Sequence, residues 1–183
     1  MDILVTRRLT LRPPLEVDAD AIFEGISNPN VARNIANLPH PYEPHHAMEW
    51  IKERQSKSDR SVFTIYRERL IGAVEVHPAS GEKNAMLGYW LAEPHWNNGF
   101  ITEAARAAVS HAFRKFDLQT INCNALVDNI GSLRVMDKLG FEDVRAGTMF
   151  NAIRNEEGPN THKELKRSTF ERLFGPLDPA QAA

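Results

Sequence analysis

Cysteine is nearly absent from this sequence. The one present, Cys123, excludes an internal disulfide and a metal site shared between two thiolates, which fits a reducing compartment. Long apolar runs are missing too, because charge interrupts every hydrophobic stretch well before the roughly 20 residues that a membrane helix needs. The opening Met1-Asp2-Ile3-Leu4 lacks a secretory profile, so the expectation is a cytoplasmic protein with no membrane partner. Nor is there an excess of charge of one sign: 22 Lys and Arg stand against 24 Asp and Glu, and a net charge of -2 provides no general attraction for nucleic acid. Internal repeats are also lacking.

What is present is an ordinary globular composition, 42% hydrophobic and 25% charged over 183 residues. That length suits one substantial core and not two domains of usual size. The reading is a single domain over 1–174 with a mobile tail over 175–183.

The patterning predicts alternating strands and helices. Residues 4–12 read as one strand stopped by Pro13-Pro14. Residues 16–27 carry Ala19, Ile22, Phe23 and Ile26 at helical spacing, with Glu16, Asp18 and Asp20 near the positive end of the dipole. A proline-containing loop over 34–44 precedes a helix over 45–57. Runs at 61–66, 70–76 and 85–91, separated by Arg67-Glu68-Arg69 and Ser80-Gly81-Glu82-Lys83, predict three consecutive antiparallel strands. The firmest helix spans 101–116, where small alanines allow close approach to a sheet. A strand over 120–127 places Ile121, Cys123, Ala125 and Val127 on one face. A helix over 129–139 closes at Gly140, which can turn left-handed so that Phe141 packs back on Met136. Weaker strands are expected at 141–146 and 161–168, on either side of a hydrophilic stretch containing Gly158-Pro159. The fold class is α/β (α+β).

The informative segment runs from Gly88 to Ala105: strand, tight loop, helix start. The first amides of a helix have no intrahelical acceptor and sit at its positive end, so 97–102 can hold a phosphate, with Gly99 letting the backbone approach. Most strand-to-helix turns bind nothing, so this signal is weak by itself.

The run 87–104, followed by Val127-Asp128-Asn129-Ile130-Gly131-Ser132 and Lys138-Leu139-Gly140-Phe141, resembles the GNAT superfamily and its RimJ/RimL-like branch; Thr6-Arg7-Arg8-Leu9-Thr10-Leu11-Arg12 and Leu70-Ile71-Gly72 are similar to that branch as well. The resemblance implies a mixed, mostly antiparallel, V-shaped sheet flanked by helices, with acetyl-CoA entering between two splayed strands. It implies direct acetyl transfer to a primary amine, either the N-terminal α-amine of a protein such as a ribosomal one or a small amine such as an antibiotic or polyamine. A non-catalytic acyl-CoA-binding module is the reading from a different class. A monomer or homodimer is expected.

By the same resemblance, main chain around Leu91 pairs with the pantetheine arm, and Trp96, Asn97, Asn98, Gly99, Ile101 and Thr102 form the phosphate loop. Only Gly99 matches the usual loop pattern cleanly. Trp96 replaces a Gln or Arg, Asn97 and Asn98 stand where Gly and a basic residue are frequent, and Ile101 replaces a small residue. Asn129 matches an asparagine that bonds the pantetheine, and Ser132 matches a hydroxyl aimed at the cofactor sulphur. The tyrosine many relatives use as acid is Met136 here, and an acid on the strand 120–127 is replaced by Asn124. Glu93 and Glu75 are the candidate general bases, directly or through water, with His77 and His95 as weaker alternatives. Glu103 is expected to serve the helix dipole. No metal is expected: adjacent His45 and His46 should point apart. Cys123 reads as core, and Lys163, Lys166 and Arg167 as a solvated face.

Overall fold

The computed structural model describes residues 2–177. Strands β1 (Leu4–Val5), β2 (Thr10–Arg12), β3 (Ser61–Tyr66), β4 (Leu70–Pro78), β5 (Asn84–Leu91), β6 (Thr120–Leu126), β7 (Glu142–Asn151) and β8 (Glu156–Lys166) form one sheet in the order β1-β2-β3-β4-β5-β6-β8-β7. The helices are α1 (Ala19–Ser27), α2 (Pro29–Ala32), α3 (Pro44–Gln55), α4 (Phe100–Lys115), α5 (Ile130–Leu139) and α6 (Arg167–Phe174). Neighbouring strands are antiparallel except β5 and β6, which are joined through α4 as a βαβ unit and run parallel.

That parallel pair sets up the site. β5 and β6 are in register only at Asn84 with Thr120, Ala85 with Ile121 and Met86 with Asn122. Past Met86 the two strands part, while β5 stays paired to β4 as far as Leu91 and β6 stays paired to β8 as far as Leu126. The sheet is therefore V-shaped, with polar strand edges facing each other across the opening.

Each face of the sheet carries its own core. On one, Ala104, Ala105, Ala108 and Ala112 of α4 are fully buried with Phe113, Ile121, Met136, Leu139 and Leu165. Ala19, Ile22 and Ile26 of α1 pack with Ala47 and Ile51 of α3 in the second core, with Trp90 of β5 against them. Gly140 is left-handed (φ 89°), and the Phe141 amide donates to the Met136 carbonyl at 3.0 Å, closing α5 as its sequence predicts.

Several elements differ from the sequence reading. Residues 4–12 make two short strands, because the Thr6 hydroxyl accepts the Leu9 amide (3.1 Å) and folds Arg7-Arg8 into a turn that pairs Leu4 with Leu11. β6 ends at Leu126, leaving Val127 43% exposed outside the core face. β7 and β8 are far longer than expected, and Gly158-Pro159 lies inside β8; Pro159 lacks a donor but its carbonyl accepts the Val127 amide at 2.9 Å. Arg167–Phe174 is a helix where the end of a strand was expected, anchored by Phe170 against Phe113 (ring centroids 5.7 Å). Of the expected tail, Leu177 packs against the larger core, and residues 178–183 lie outside the described residues.

Candidate functional site

At the end of β5 the chain makes a single turn, Glu93–His95, and enters the loop that starts α4. The Trp96 indole donates to the Leu91 carbonyl at 2.7 Å, tying the loop back to its strand. Asn97 (φ 60°) and Gly99 (φ 75°) are both left-handed, so the chain reverses sharply around Asn98. A Cβ on Gly99 would touch only Arg8 Nη2, at 3.5 Å, so the glycine is required by its φ and not by lack of room.

Gly99 is the N-cap of α4 and has no side chain to offer, so no side chain caps the helix. The first helical amides are left at the positive end of a sixteen-residue dipole, and Asn97, Gly99, Phe100, Ile101 and Thr102 all line the cleft formed by the parted strands. These residues fit a diphosphate on chemical grounds.

Arg8 braces the loop from behind. Its Nη1 donates to the Asn98 carbonyl (3.0 Å), its Nε pairs with Glu103 Oε2 (2.7 Å), and its guanidinium lies 4.5 Å from the Phe100 ring centre. Glu103 also accepts from the Thr6 hydroxyl (2.7 Å) and the Arg8 amide (2.9 Å). Burial pushes the Glu103 carboxyl up, but the bonds from Thr6 and Arg8 outweigh it and hold the group below the usual carboxylate range. Glu103 is thus a strut between the first strands and α4 as well as a dipole partner. His95 lies on the cleft wall, and burial, with Arg69 and Arg67 nearby, lowers its pKa and keeps the ring neutral at pH 7.

The opposite wall is β6 and α5. Asn129 caps α5 by accepting the Ser132 amide at its Oδ1 (3.2 Å); its Nδ2 has no partner among the described residues and lines the cleft. Ser132 follows in the first turn, with Oγ 2.8 Å from the Tyr89 hydroxyl of β5. Met136 is wholly buried in the core. Cys123 is buried, and desolvation pushes its thiol up to about 12, which makes it a poor nucleophile.

Glu93 faces the cleft and is held by two neutral donors, Asn28 Nδ2 (2.7 Å) and Asn30 Nδ2 (2.8 Å), from the junction of α1 and α2. Among the described residues no cation pairs with its carboxylate. Glu75, by contrast, is spent on Arg54 (3.2 Å) and Arg60 (3.1 Å), with His77 3.7 Å away, and neither Glu75 nor His77 lines the cleft. Asn124 does line it.

The cleft measures about 1040 Å³. Arg154, at the turn between β7 and β8, borders one end; it pairs with Asp128 (2.6 Å) and donates to the Arg33 carbonyl (2.9 Å) and Asn34 Oδ1 (3.2 Å). Sequence reasoning missed Tyr89, Arg8, Arg154, Asn28 and Asn30 as site residues. No spacing in the sequence marked any of them.

Two lesser expectations change. His45 and His46 lie together, ring centroids 4.0 Å apart, with ligand atoms of His45, His46 and Glu49 within 4.8 Å of one another. The Glu43 amide donates to His46 Nδ1 (3.0 Å), so that ring already serves the helix start, outside the cleft. Lys163 is buried between Asp137 (2.7 Å) and Asp143 (3.3 Å), not on a solvated face.

Comparison with known proteins places this geometry among relatives. The acetyltransferase (GNAT) domain family profile matches residues 8–142. An uncharacterized N-acetyltransferase of Bacillus subtilis, YoaA, is 30% identical over 156 residues, 76% of this chain and 82% of that protein. The ribosomal-protein-serine acetyltransferase of Escherichia coli is 33% identical over 84 residues, 44% of this chain and 46% of that one. Among solved structures, RimL, a ribosomal α-N-protein acetyltransferase in complex with coenzyme A, superimposes with a TM-score of 0.78 at 18% identity, covering 90% of this chain and 98% of that one.

Proposed function

The chain belongs to the GNAT family and is an acetyltransferase using acetyl-CoA, and from that premise we propose that its acceptor is the N-terminal α-amine of a protein, with transfer direct from donor to amine. The observation that carries the site assignment is the parting of β5 and β6 over the uncapped start of α4.

In this reading the amides of 97–102 hold the diphosphate and the free Asn129 Nδ2 holds the pantetheine arm, while the unpaired edge of β5 beyond Met86 supplies main-chain partners near Leu91. The acceptor enters between the α1–α2 junction and the turn that carries Arg154. Glu93, fixed by Asn28 and Asn30, takes a proton from the incoming ammonium or from a water on it, leaving the neutral amine that attack requires. Main-chain donors on the open strand edge stabilise negative charge at the acyl oxygen. Ser132 delivers a proton to the departing sulphur. The α-amine is preferred because the matched E. coli relative and RimL are named for ribosomal-protein acetylation, and because Glu93 is a cleft carboxylate free to meet a cationic chain end.

The test is mass spectrometry of acetylation across a mixed panel of peptides, polyamines and aminoglycosides. Peptide α-amines should be the modified class. Products confined to polyamines or aminoglycosides would transfer the assignment to a small-molecule acceptor, and tight acetyl-CoA binding without turnover on any amine would make the chain a binding module.

A further inference from the structure

The side chain that reaches Ser132 is not on its own helix. Tyr89 projects from β5 on one arm of the V and meets Ser132 of α5 on the other, its hydroxyl 2.8 Å from Oγ and 3.3 Å from the Ser132 carbonyl. Both residues line the cleft beyond the point where β5 and β6 separate. We propose that Tyr89 is the positioning residue for Ser132: its hydroxyl bonds Oγ, turns the serine proton towards the coenzyme sulphur, and replenishes the oxygen as that proton leaves. This rests on the reading of Ser132 given above.

The need arises from relative acidity. A thiol has a pKa of about 8.5 and a phenol about 10, whereas an alcohol, like water, is a far weaker acid than either. Ser132 acting alone would have to end as an alkoxide to protonate a thiolate, a transfer far uphill. With a phenol behind it, the charge is shared with the phenol oxygen and the uphill gap narrows, although burial makes this phenol a weaker acid than a free one and takes back part of that gain. Burial raises the Tyr89 pKa, with the Cys123 thiol beside it adding to the effect, so the phenol stays protonated and available as a donor.

The protons balance. The incoming ammonium gives one proton to Glu93 or water before attack; as the nitrogen–carbon bond forms and the carbon–sulphur bond breaks, the nitrogen of the adduct gives up a second proton to solvent by the same route. The sulphur takes the Ser132 proton, Oγ takes the Tyr89 proton, and solvent returns one to Tyr89. Acetyl-CoA and amine become amide and coenzyme thiol.

The experiment titrates the thiol of bound coenzyme A by thiolate absorbance, which needs no acceptor. Cys123 is displaced to about 12, so below pH 10 the coenzyme supplies the signal. In the unaltered protein the bound thiol should titrate below its free value. Tyr89→Phe should move it up by about one unit, as should Ser132→Ala, and the double variant should move it no further. With whichever amine serves as acceptor, kcat should fall about tenfold or more in Tyr89→Phe while KM for acetyl-CoA changes little. A second variant, 3-fluorotyrosine at 89, keeps the ring and the bond but strengthens the donor, and should lower the bound thiol pKa further; it carries the test if Tyr89→Phe does not fold. An unchanged thiol pKa in both Tyr89 variants, with Ser132→Ala shifted, overturns the role of Tyr89 and leaves that of Ser132 standing. An unchanged value in Ser132→Ala as well overturns both.

Discussion

Replacing Gly99 isolates the energetics of the phosphate loop, because the position is restricted by backbone conformation and not by space. At φ 75° and ψ 6° the residue is left-handed, and the nearest atom to an added Cβ is Arg8 Nη2 at an ordinary 3.5 Å. Alanine held in this conformation costs about 1–2 kcal/mol. Two outcomes are open to Gly99→Ala. If the loop keeps its shape without ligand, that cost is lost from folding and lowers the melting temperature by about 2–4 °C per kcal/mol for a chain of this size. If the free loop relaxes to a negative φ, folding is spared, but acetyl-CoA must restore the left-handed turn, and its Kd rises by roughly 5–30-fold, since 1.4 kcal/mol is a factor of ten. The sum of the two losses is conserved. Gly99→Asn should lose much less, because asparagine tolerates the left-handed region, whereas a β-branched valine should lose more. Calorimetric titration with acetyl-CoA and thermal unfolding of the same preparations measure both terms. Gly99→Ala with melting temperature and Kd both unaltered would refute the claim that this turn sets the amides, as would asparagine proving as harmful as valine.

Arg8→Ala removes both the tether to the Asn98 carbonyl and the ion pair to Glu103; it should lower stability by about 1 kcal/mol and weaken acetyl-CoA binding severalfold, with lysine failing to restore binding because a single ammonium cannot span both acceptors, as titration calorimetry of the three proteins would reveal. Asp18 is buried and bonded by Arg12, the Leu15 amide and Tyr66; burial raises its pKa, but these bonds outweigh it and set the carboxyl below its usual range. Because the folded pKa is the lower one, this stabilisation is complete above the unfolded value near 3.9 and disappears as pH falls through the folded value. Urea unfolding should accordingly show Asp18→Asn much less stable than the parent at pH 7, with the difference shrinking towards pH 2–3. Arg154→Ala frees the turn between β7 and β8 from Asp128 and the Arg33 carbonyl; steady-state kinetics should show KM for the acceptor raised several-fold with KM for acetyl-CoA changed less.

Much of the fold was legible because one-sided burial leaves a periodic trace. The alanines of α4 recur at helical spacing since one face of that helix lies on the sheet, and β3 to β5 are flanked by turn residues. β7 left no such trace. It is an edge strand exposed along nearly its whole length, with Val144 60% and Phe150 54% exposed, so neither face is selected for apolar residues and its boundaries cannot be inferred from alternation. The close of α5 was legible because a left-handed turn there favours glycine, here Gly140, whereas Asn129 was read as part of the helix and not as its cap. Tyr89, Arg8 and Arg154 were not legible. Each acts on partners tens of residues away, Ser132, Glu103 and Asp128 respectively, and a contact of that kind has no spacing to recognise.

The same distinction explains why the site lies where it does. A parallel pair requires a crossover, and α4 supplies it, so its N-terminus opens beside the top of β5. Had β5 and β6 remained paired to their ends, the helix amides would face a closed sheet and the strand edges would satisfy one another. Because they part after Met86, two rows of main-chain polar groups and an uncapped helix start are left facing the same space, a cost a folded protein bears only where water or a ligand completes the bonding. A long donor with amides along its arm and a diphosphate at its end satisfies both sets of groups at once. The opening in the sheet, the direction of α4 and the absence of a side-chain cap at Gly99 are thus parts of one requirement, and in the proposed function Glu93 and Arg154 face the acceptor while Tyr89 acts through Ser132 on the donor side.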